Sequence, residues 1–97
     1  MRDTGLRYAR SRPVGVSVRK RGRRIEIDDM AAAVAFAGRP PGWHEAAERA
    51  VEPLGWNVSR EGVVFVAAVE GRDVDDLVRR TAEASLAVRD ALLALED

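Results

Sequence analysis

The sequence predicts a two-layer α+β domain in which two β-hairpins form an antiparallel sheet, covered by a short helical pair and a long C-terminal helix. Two stretches alternate apolar and polar residues around a short reversal, as half-buried strands do. Two short helical patterns lie between these hairpins, and a longer helical pattern follows them over residues 73–95. The predicted order of elements is therefore ββααββα.

Length and composition fit one globular domain, because the 97 residues are 46% hydrophobic and 33% charged. The chain has no cysteine, which excludes a disulfide, a thiolate zinc site and a cysteine nucleophile. The first 13 residues lack the apolar stretch of a secretory signal, so we expect a cytoplasmic protein. The longest apolar run, residues 30–37, covers about 8 positions against the roughly 20 that cross a bilayer, so we expect no membrane insertion.

The charges are unevenly distributed along the chain, although they sum to zero. Residues 1–24 contain nine cations and one acid, a net charge of +8, and residues 25–97 therefore carry −8. This asymmetry indicates an anionic partner, although 15 arginines against one lysine also fit a GC-rich genome. Residues 1–12 show no periodicity, which predicts a flexible basic arm followed by a single α+β domain over residues 13–97.

The first hairpin is predicted from a ladder of branched residues that alternate with small or charged ones: Val14, Val16, Val18, Ile25 and Ile27. A reversal over residues 20–23 places Arg19 opposite Arg24 and keeps every branched residue on one face. A three-residue loop would break that face. We therefore expect strands over roughly 14–20 and 23–28.

Two short helices are predicted after this hairpin. Asp28 or Asp29 is a suitable N-cap for a helix over residues 30–37, and Gly38 has the position of its C′ residue. After a proline-rich connector, apolar residues recur at helical spacing from 43 to 54, and a proline near the end of this segment stops or kinks the helix.

A second hairpin is predicted around Glu61-Gly62, a dipeptide close to the Asp-Gly turn signal. A two-residue turn there places Val58 opposite Phe65. The second strand, residues 63–69, has apolar residues on both faces, which is typical of an interior strand. Whether the two hairpins join into one sheet stays open.

The final helix is predicted to begin at the N-cap Asp73 and to reach residue 95, a length of roughly 35 Å at about 1.5 Å per residue. That length exceeds what the core of so short a chain covers. The main apolar face consists of Val74, Leu77, Val78, Thr81, Ser85, Val88, Leu92 and Leu95.

The order of elements, with an aspartate pair leading from the first hairpin into a short helix, resembles an uncharacterised bacterial family of small "domain of unknown function" proteins. The resemblance covers about residues 13–95, and it implies the fold and no activity. This chain departs from the pattern in having no glycine directly after the aspartate pair. The matching segments are Ile25-Glu26-Ile27-Asp28-Asp29, Leu54-Gly55-Trp56, Glu61-Gly62-Val63-Val64-Phe65 and residues 73–95.

Five cations cluster at the predicted end of the first hairpin: Arg19, Lys20, Arg21, Arg23 and Arg24. Like charges opposite each other destabilise a pair of strands, and a nucleic-acid backbone would relieve that repulsion. The simpler alternatives are a solvated turn or one that docks on the acidic surface of the same protein. Tyr8 is the one aromatic residue nearby, which gives thin support for stacking of single strands.

Leu86 and Leu93 lie well away from the main face of the final helix, so its second half is apolar over more of its circumference than one core requires. Such a surplus stripe predicts a partner surface, and a symmetric helix pair is its simplest use. The alternative is that both leucines are buried in a groove of the same domain. The leading interpretation is a non-catalytic interaction domain, a homodimer or a partner of another protein, with nucleic-acid binding as the second.

No motif predicts an enzyme, a metal site or a cofactor. His44 is the only histidine, and the residues around it include no nucleophile or metal-ligating set. Acidic residues near the start of the final helix fit capping and the helix dipole better than a cation site. The glycines are isolated, so no phosphate-binding loop is present.

Overall fold

The computed structural model describes residues 2–69 and 73–95, which form one five-stranded antiparallel sheet and three helices. The spatial order of the strands is β1-β2-β3-β5-β4. The α+β class, the antiparallel sheet and the long C-terminal helix are therefore confirmed. The elements are β1 (Arg2–Ala9), β2 (Arg12–Arg21), β3 (Arg24–Asp28), α1 (Ala32–Ala37), α2 (Trp43–Val51), a 3₁₀ turn (Glu52–Leu54), β4 (Asn57–Val58), β5 (Val64–Val69) and α3 (Val74–Ala94).

The N-terminal segment differs from the predicted flexible arm, because residues 2–9 form strand β1 at the edge of the sheet. β1 pairs antiparallel with the first half of β2, and the register shifts twice along this pairing. Such bulges remove the strict alternation by which a strand is recognised in sequence. Tyr8 is buried in the core and Leu6 packs against it, so β1 belongs to the domain.

The β2–β3 hairpin forms in a register two residues away from the predicted one. Its turn is Gly22-Arg23, so that Arg21 lies opposite Arg24 and Arg19 lies opposite Glu26. The predicted pairing of Arg19 with Arg24 is therefore wrong. The predicted faces survive, because a shift by two residues leaves every side chain on its original side.

The two hairpins share one sheet, since β3 and β5 pair antiparallel, with Ile27 opposite Val66. The second hairpin has a longer connection than the two-residue turn predicted at Glu61-Gly62. Val58 therefore lies opposite Val64 rather than Phe65, a shift of one residue. The connection is closed by the side chain of Ser59, whose hydroxyl accepts a hydrogen bond from the backbone N–H of Val63 at 3.0 Å.

The predicted helices are present, but the first begins later than the aspartate pair suggests. Met30 and Ala31 have left-handed backbone angles, φ 56 and φ 60, and α1 starts only at Ala32. Gly38 ends this helix as predicted, and its N–H donates to the carbonyl of Val34 at 2.8 Å. α3 begins as predicted, with Asp73 accepting a hydrogen bond from the N–H of residue 76.

The helices form a single layer on one face of the sheet. α3 contacts α1 and α2 as well as β1, β2, β3 and β5, so the core lies between α3 and the sheet. The largest side chains that are fully buried include Ile27, Val64, Val88 and Leu92. Among residues 2–69 and 73–95, no helix combines the length and the apolarity that crossing a membrane requires.

Candidate functional site

The five cations predicted as an anion contact all lie at the end of the β2–β3 hairpin, and each is exposed to solvent. Gly22 adopts φ +60 in the turn, a conformation that glycine tolerates better than other residues. We call these five residues the hairpin tip: Arg19, Lys20, Arg21, Arg23 and Arg24. The structure therefore brings the predicted residues together, in a register that differs from the expected one.

Two arginines of the hairpin tip have acidic neighbours on the same face of the sheet. Arg19 Nη2 lies 3.0 Å from Asp28 Oδ2, and Arg21 Nε lies 3.9 Å from Glu26 Oε2. The arginine side chains remain 57% and 70% exposed, respectively. Ion pairs exposed to this extent are screened by water and contribute little stability, so both guanidinium groups remain accessible to another anion.

The outermost cations of the hairpin tip face one another. Arg21 and Arg24 form the last pair of the ladder, with Arg23 in the turn beyond them. Within the described residues, neither Arg23 nor Arg24 has an acidic partner. Like charges directly opposite each other in a ladder are destabilising. Among the described residues, the positive charges of Arg23 and Arg24 are therefore not offset by an ion pair.

The other cations of residues 1–24 do not converge on the hairpin tip. Arg10 and Arg12 lie at the β1–β2 turn, at the opposite end of β2, which is about 30 Å away at roughly 3.3 Å per residue. The Arg12 guanidinium carbon lies 5.5 Å from the centroid of the Phe36 ring. Arg2 forms an ion pair with Asp75 at 3.1 Å. The basic segment is therefore divided between two ends of the molecule.

The face of the sheet opposite the helices carries a half-buried aromatic side chain that the sequence did not single out. Phe65 lies on β5 across from Asp28 of β3, outside the hydrophobic core. Together with Arg19, Arg24 and Ala67 it lines an open depression of about 330 Å³. We call this surface the open sheet face: Arg19, Arg24, Glu26, Asp28, Phe65 and Ala67.

The two leucines predicted as a partner surface have different environments. Leu86 is half-buried and packs against the core, whereas Leu93 is 39% exposed. Leu95, at the end of the helix, is 43% exposed. The domain therefore uses part of the predicted stripe internally and leaves Leu93 on the surface.

His44 connects helix α2 to the loop after β4. Its Nδ1 lies 3.0 Å from Glu48 Oε1, and its Nε2 lies 3.0 Å from the carbonyl oxygen of Ser59. These two contacts place the ring between its own helix and the loop after β4. The described part of the chain contains no group of three or more histidine, aspartate or glutamate side chains placed to hold a metal ion.

A buried carboxylate organises the junction between the sheet and the helices. Asp29 is inaccessible to solvent, and its Oδ1 accepts the backbone N–H groups of Ala31 and Val64, both at 2.9 Å. Its Oδ2 accepts the Ser85 hydroxyl at 2.7 Å and the N–H of Ala33 at 3.4 Å. Burial raises the pKa of Asp29, and these hydrogen bonds oppose the rise.

The hydrogen-bonded network continues from Asp29 to the edge of the sheet. Ser85 donates its one hydroxyl hydrogen to Asp29, so its oxygen accepts the second hydrogen bond, from the Tyr8 hydroxyl at 2.5 Å. Burial raises the pKa of Tyr8 to about 12. All three side chains are buried, and the network joins β1, α3 and the start of α1. Serine at position 85, on the apolar face of α3, was the sequence signal for it.

No protein-family model, curated protein or solved structure matches this chain. Three surfaces of the domain differ from the rest: the hairpin tip has concentrated charge, the open sheet face has an aromatic ring, and the end of α3 has an exposed leucine.

Proposed function

We propose that this domain is a non-catalytic binding module that contacts the phosphate backbone of a nucleic acid through its hairpin tip. The observation that carries the proposal is the direct opposition of Arg21 and Arg24 in the last pair of the ladder, with Arg23 in the turn. This arrangement is unfavourable for the isolated hairpin. A phosphate placed between the guanidinium groups would turn the repulsion into attraction.

Arginine suits this role because its planar guanidinium donates paired hydrogen bonds to phosphate oxygens. A two-stranded β-ribbon also has dimensions that enter the major groove of a duplex. Contacts to phosphates carry no direct sequence information, so we expect binding that depends strongly on salt and weakly on base sequence.

The test is a fluorescence-anisotropy titration at about 50 mM salt, with a labelled duplex of about 20 base pairs and a single strand of the same length. The variant Arg23→Gln/Arg24→Gln removes two cations from the hairpin tip. Its control, Arg49→Gln/Arg79→Gln, makes the same change in net charge on helices α2 and α3. We expect the tip variant to weaken binding about tenfold or more and the control to change it little.

Failure of the wild-type protein to bind duplex or single strands at about 50 mM salt would overturn the proposal. Equal weakening by the two double variants would also overturn it, because net charge and not the hairpin tip would then be responsible. Circular dichroism of each variant verifies that the fold is unchanged.

A second candidate function is self-association through the end of α3, which the exposure of Leu93 favours. Leu93→Glu would then convert a dimer into a monomer. Leu54→Glu is a matched control, because Leu54 is 45% exposed on the 3₁₀ turn. Light scattering after size exclusion measures the mass, and a monomeric wild-type protein at high concentration would refute this candidate.

We further propose that the protein acts in the cytoplasm and requires no cofactor. The absence of cysteine fits a reducing compartment, where nucleic acids are also found. We also propose that the chain is related to the bacterial family of unknown function whose order of elements it resembles. This relation would account for the fold, and it assigns no ligand.

A further inference from the structure

We propose that the ligand is a single-stranded nucleic acid, which extends from the hairpin tip across the open sheet face and stacks a base on the ring of Phe65. This inference rests on the proposed function, because the hairpin tip supplies the attraction for phosphate. It adds a second contact, the aromatic ring, and it selects single strands over duplexes.

The register of the sheet places the ring and the cations on one surface. Phe65 lies opposite Asp28, and two residues further along the strands Ala67 lies opposite Glu26 and Arg19. The next outward pair contains Arg24, about 13 Å along β3 from Asp28 at roughly 3.3 Å per residue. A strand bound at the tip therefore reaches Phe65 by crossing the row that contains Arg19.

Each acidic residue of the hairpin strands on this face has an arginine nearby. Asp28 Oδ2 lies 3.0 Å from Arg19 Nη2, and Asp28 Oδ1 accepts a hydrogen bond from the backbone N–H of Met30 at 2.8 Å. Glu26 Oε2 lies 3.9 Å from Arg21 Nε. Glu61 lies at the rim of the depression. Three cations of this face, Arg19, Arg21 and Arg24, stand against three acids, Glu26, Asp28 and Glu61. The attraction for phosphate therefore comes from the adjoining hairpin tip, and the face adds the aromatic ring.

Within the described residues, the half-buried ring of Phe65 lies outside the hydrophobic core. It belongs neither to the core nor to the half-buried apolar residues that pack against the core. The other two aromatic residues of this size outside the core, Phe36 and Trp43, do pack against it. Its neighbours in the ladder are Asp28 and Asn57, and Arg19 lies one row closer to the hairpin tip. An aromatic ring on an uncovered sheet face is the arrangement on which unpaired bases stack in sheet-based RNA- and DNA-binding domains.

A duplex does not make this contact, because its bases are stacked on one another inside the helix. A base that is free to unstack offers its flat surface to the ring, and the contact tolerates any base. The arginines meanwhile hold the backbone. We therefore expect single strands to bind more tightly than duplexes of the same length.

The test uses three labelled probes of about 20 nucleotides: an oligothymidylate, an abasic strand with the same backbone, and a duplex. The variant is Phe65→Leu, with Phe65→Tyr as the conservative rescue. Phe36→Leu is the matched control, since Phe36 is also half-buried but stacks on Tyr8, with ring centroids 5.8 Å apart. Thermal melts of all variants confirm folding.

We expect Phe65→Leu to weaken oligothymidylate binding by roughly 5- to 100-fold, the range for loss of one stacked base. Phe65→Tyr should retain affinity, and Phe36→Leu should not change it. The abasic strand should bind the wild-type protein about as weakly as the oligothymidylate binds Phe65→Leu.

Several results would overturn the inference. If the abasic strand and the oligothymidylate bind equally well, the backbone is held without stacking, and the proposed function survives alone. If none of the three probes binds, both proposals fail. If Phe65→Leu changes the mass in light scattering and leaves affinity unchanged, the open sheet face contacts protein instead.

Discussion

Replacing Asp29 by alanine is the change to which this fold should be most sensitive. The carboxylate accepts four hydrogen bonds, three of them from backbone N–H groups at the start of α1 and at Val64. Removing it leaves those donors without an acceptor in the interior and releases Ser85 from the junction. A buried donor left unsatisfied costs about 1–3 kcal/mol.

The expected loss is less than the sum of these penalties. The alanine variant no longer has to bury a carboxylate, and water enters part of the space that the side chain leaves. We therefore expect the free energy of unfolding to fall by about 3–5 kcal/mol. A domain of this size has a total stability of about 5–15 kcal/mol, so the variant is close to unfolding at room temperature.

Asp29→Asn should be milder, by about 1–2 kcal/mol, because the amide oxygen replaces Oδ1 and keeps both bonds of 2.9 Å. The bond it loses is the longest of the four, from Ala33 at 3.4 Å. Ser85 can reverse its hydroxyl to accept from the new amide. Asp90→Ala is the surface control, since Asp90 is 66% exposed and should cost under about 0.5 kcal/mol.

Urea denaturation followed by tryptophan fluorescence measures these differences, because Trp56 is buried and hydrogen-bonded to Thr81. We expect the largest loss of unfolding free energy for Asp29→Ala, a smaller loss for Asp29→Asn and the smallest for Asp90→Ala. A loss of less than about 1 kcal/mol for Asp29→Ala would refute the assignment of this residue as the centre of the junction.

Three further predictions concern stability. The pKa of Asp29 in the folded protein lies above its ordinary value of 3.8, so the folded state binds the proton more tightly than the unfolded state does. The stability of the wild-type protein relative to Asp29→Asn should therefore fall as the pH rises through that raised pKa. Urea titrations at several pH values measure this difference, and a rise with pH would contradict the prediction. Met30→Gly should raise stability by about 0.5–1 kcal/mol by relieving a left-handed backbone angle, and an unchanged melting temperature would contradict this. Gly62→Ala should cost about 1–3 kcal/mol more than Gly55→Ala, because the added carbon meets Val34 at 2.8 Å whereas Gly55 has open space; equal melting temperatures would oppose it.

The parts of the fold that follow from local alternation could be predicted from the sequence. The faces of the first hairpin were correct because branched residues repeat with period two, and a shift by two residues preserves that pattern. The partner of Arg19 was wrong for the same reason, since periodicity alone does not distinguish registers two residues apart. β1 was missed because its bulges interrupt the alternation.

The parts that depend on distant contacts could not be predicted in this way. Asp29 was recognised as a possible helix cap, but its contact with Ser85 joins residues 56 positions apart. Phe65 was assigned to an interior strand, and only the single helical layer shows that its side of the sheet is open. The exposure of Leu93 and the half-burial of Leu86 likewise depend on how α3 packs against the sheet.

The salt dependence of nucleic-acid binding tests the central claim most directly. The slope of log Kd against log salt concentration is proportional to the number of phosphates that the protein's cations neutralise. Each neutralised phosphate contributes about 0.9 to the slope on a duplex and about 0.7 on a single strand. Arg23→Gln/Arg24→Gln should therefore reduce the slope measured with a single strand by about 1.4. An unchanged slope would show that the hairpin tip does not contact the phosphates.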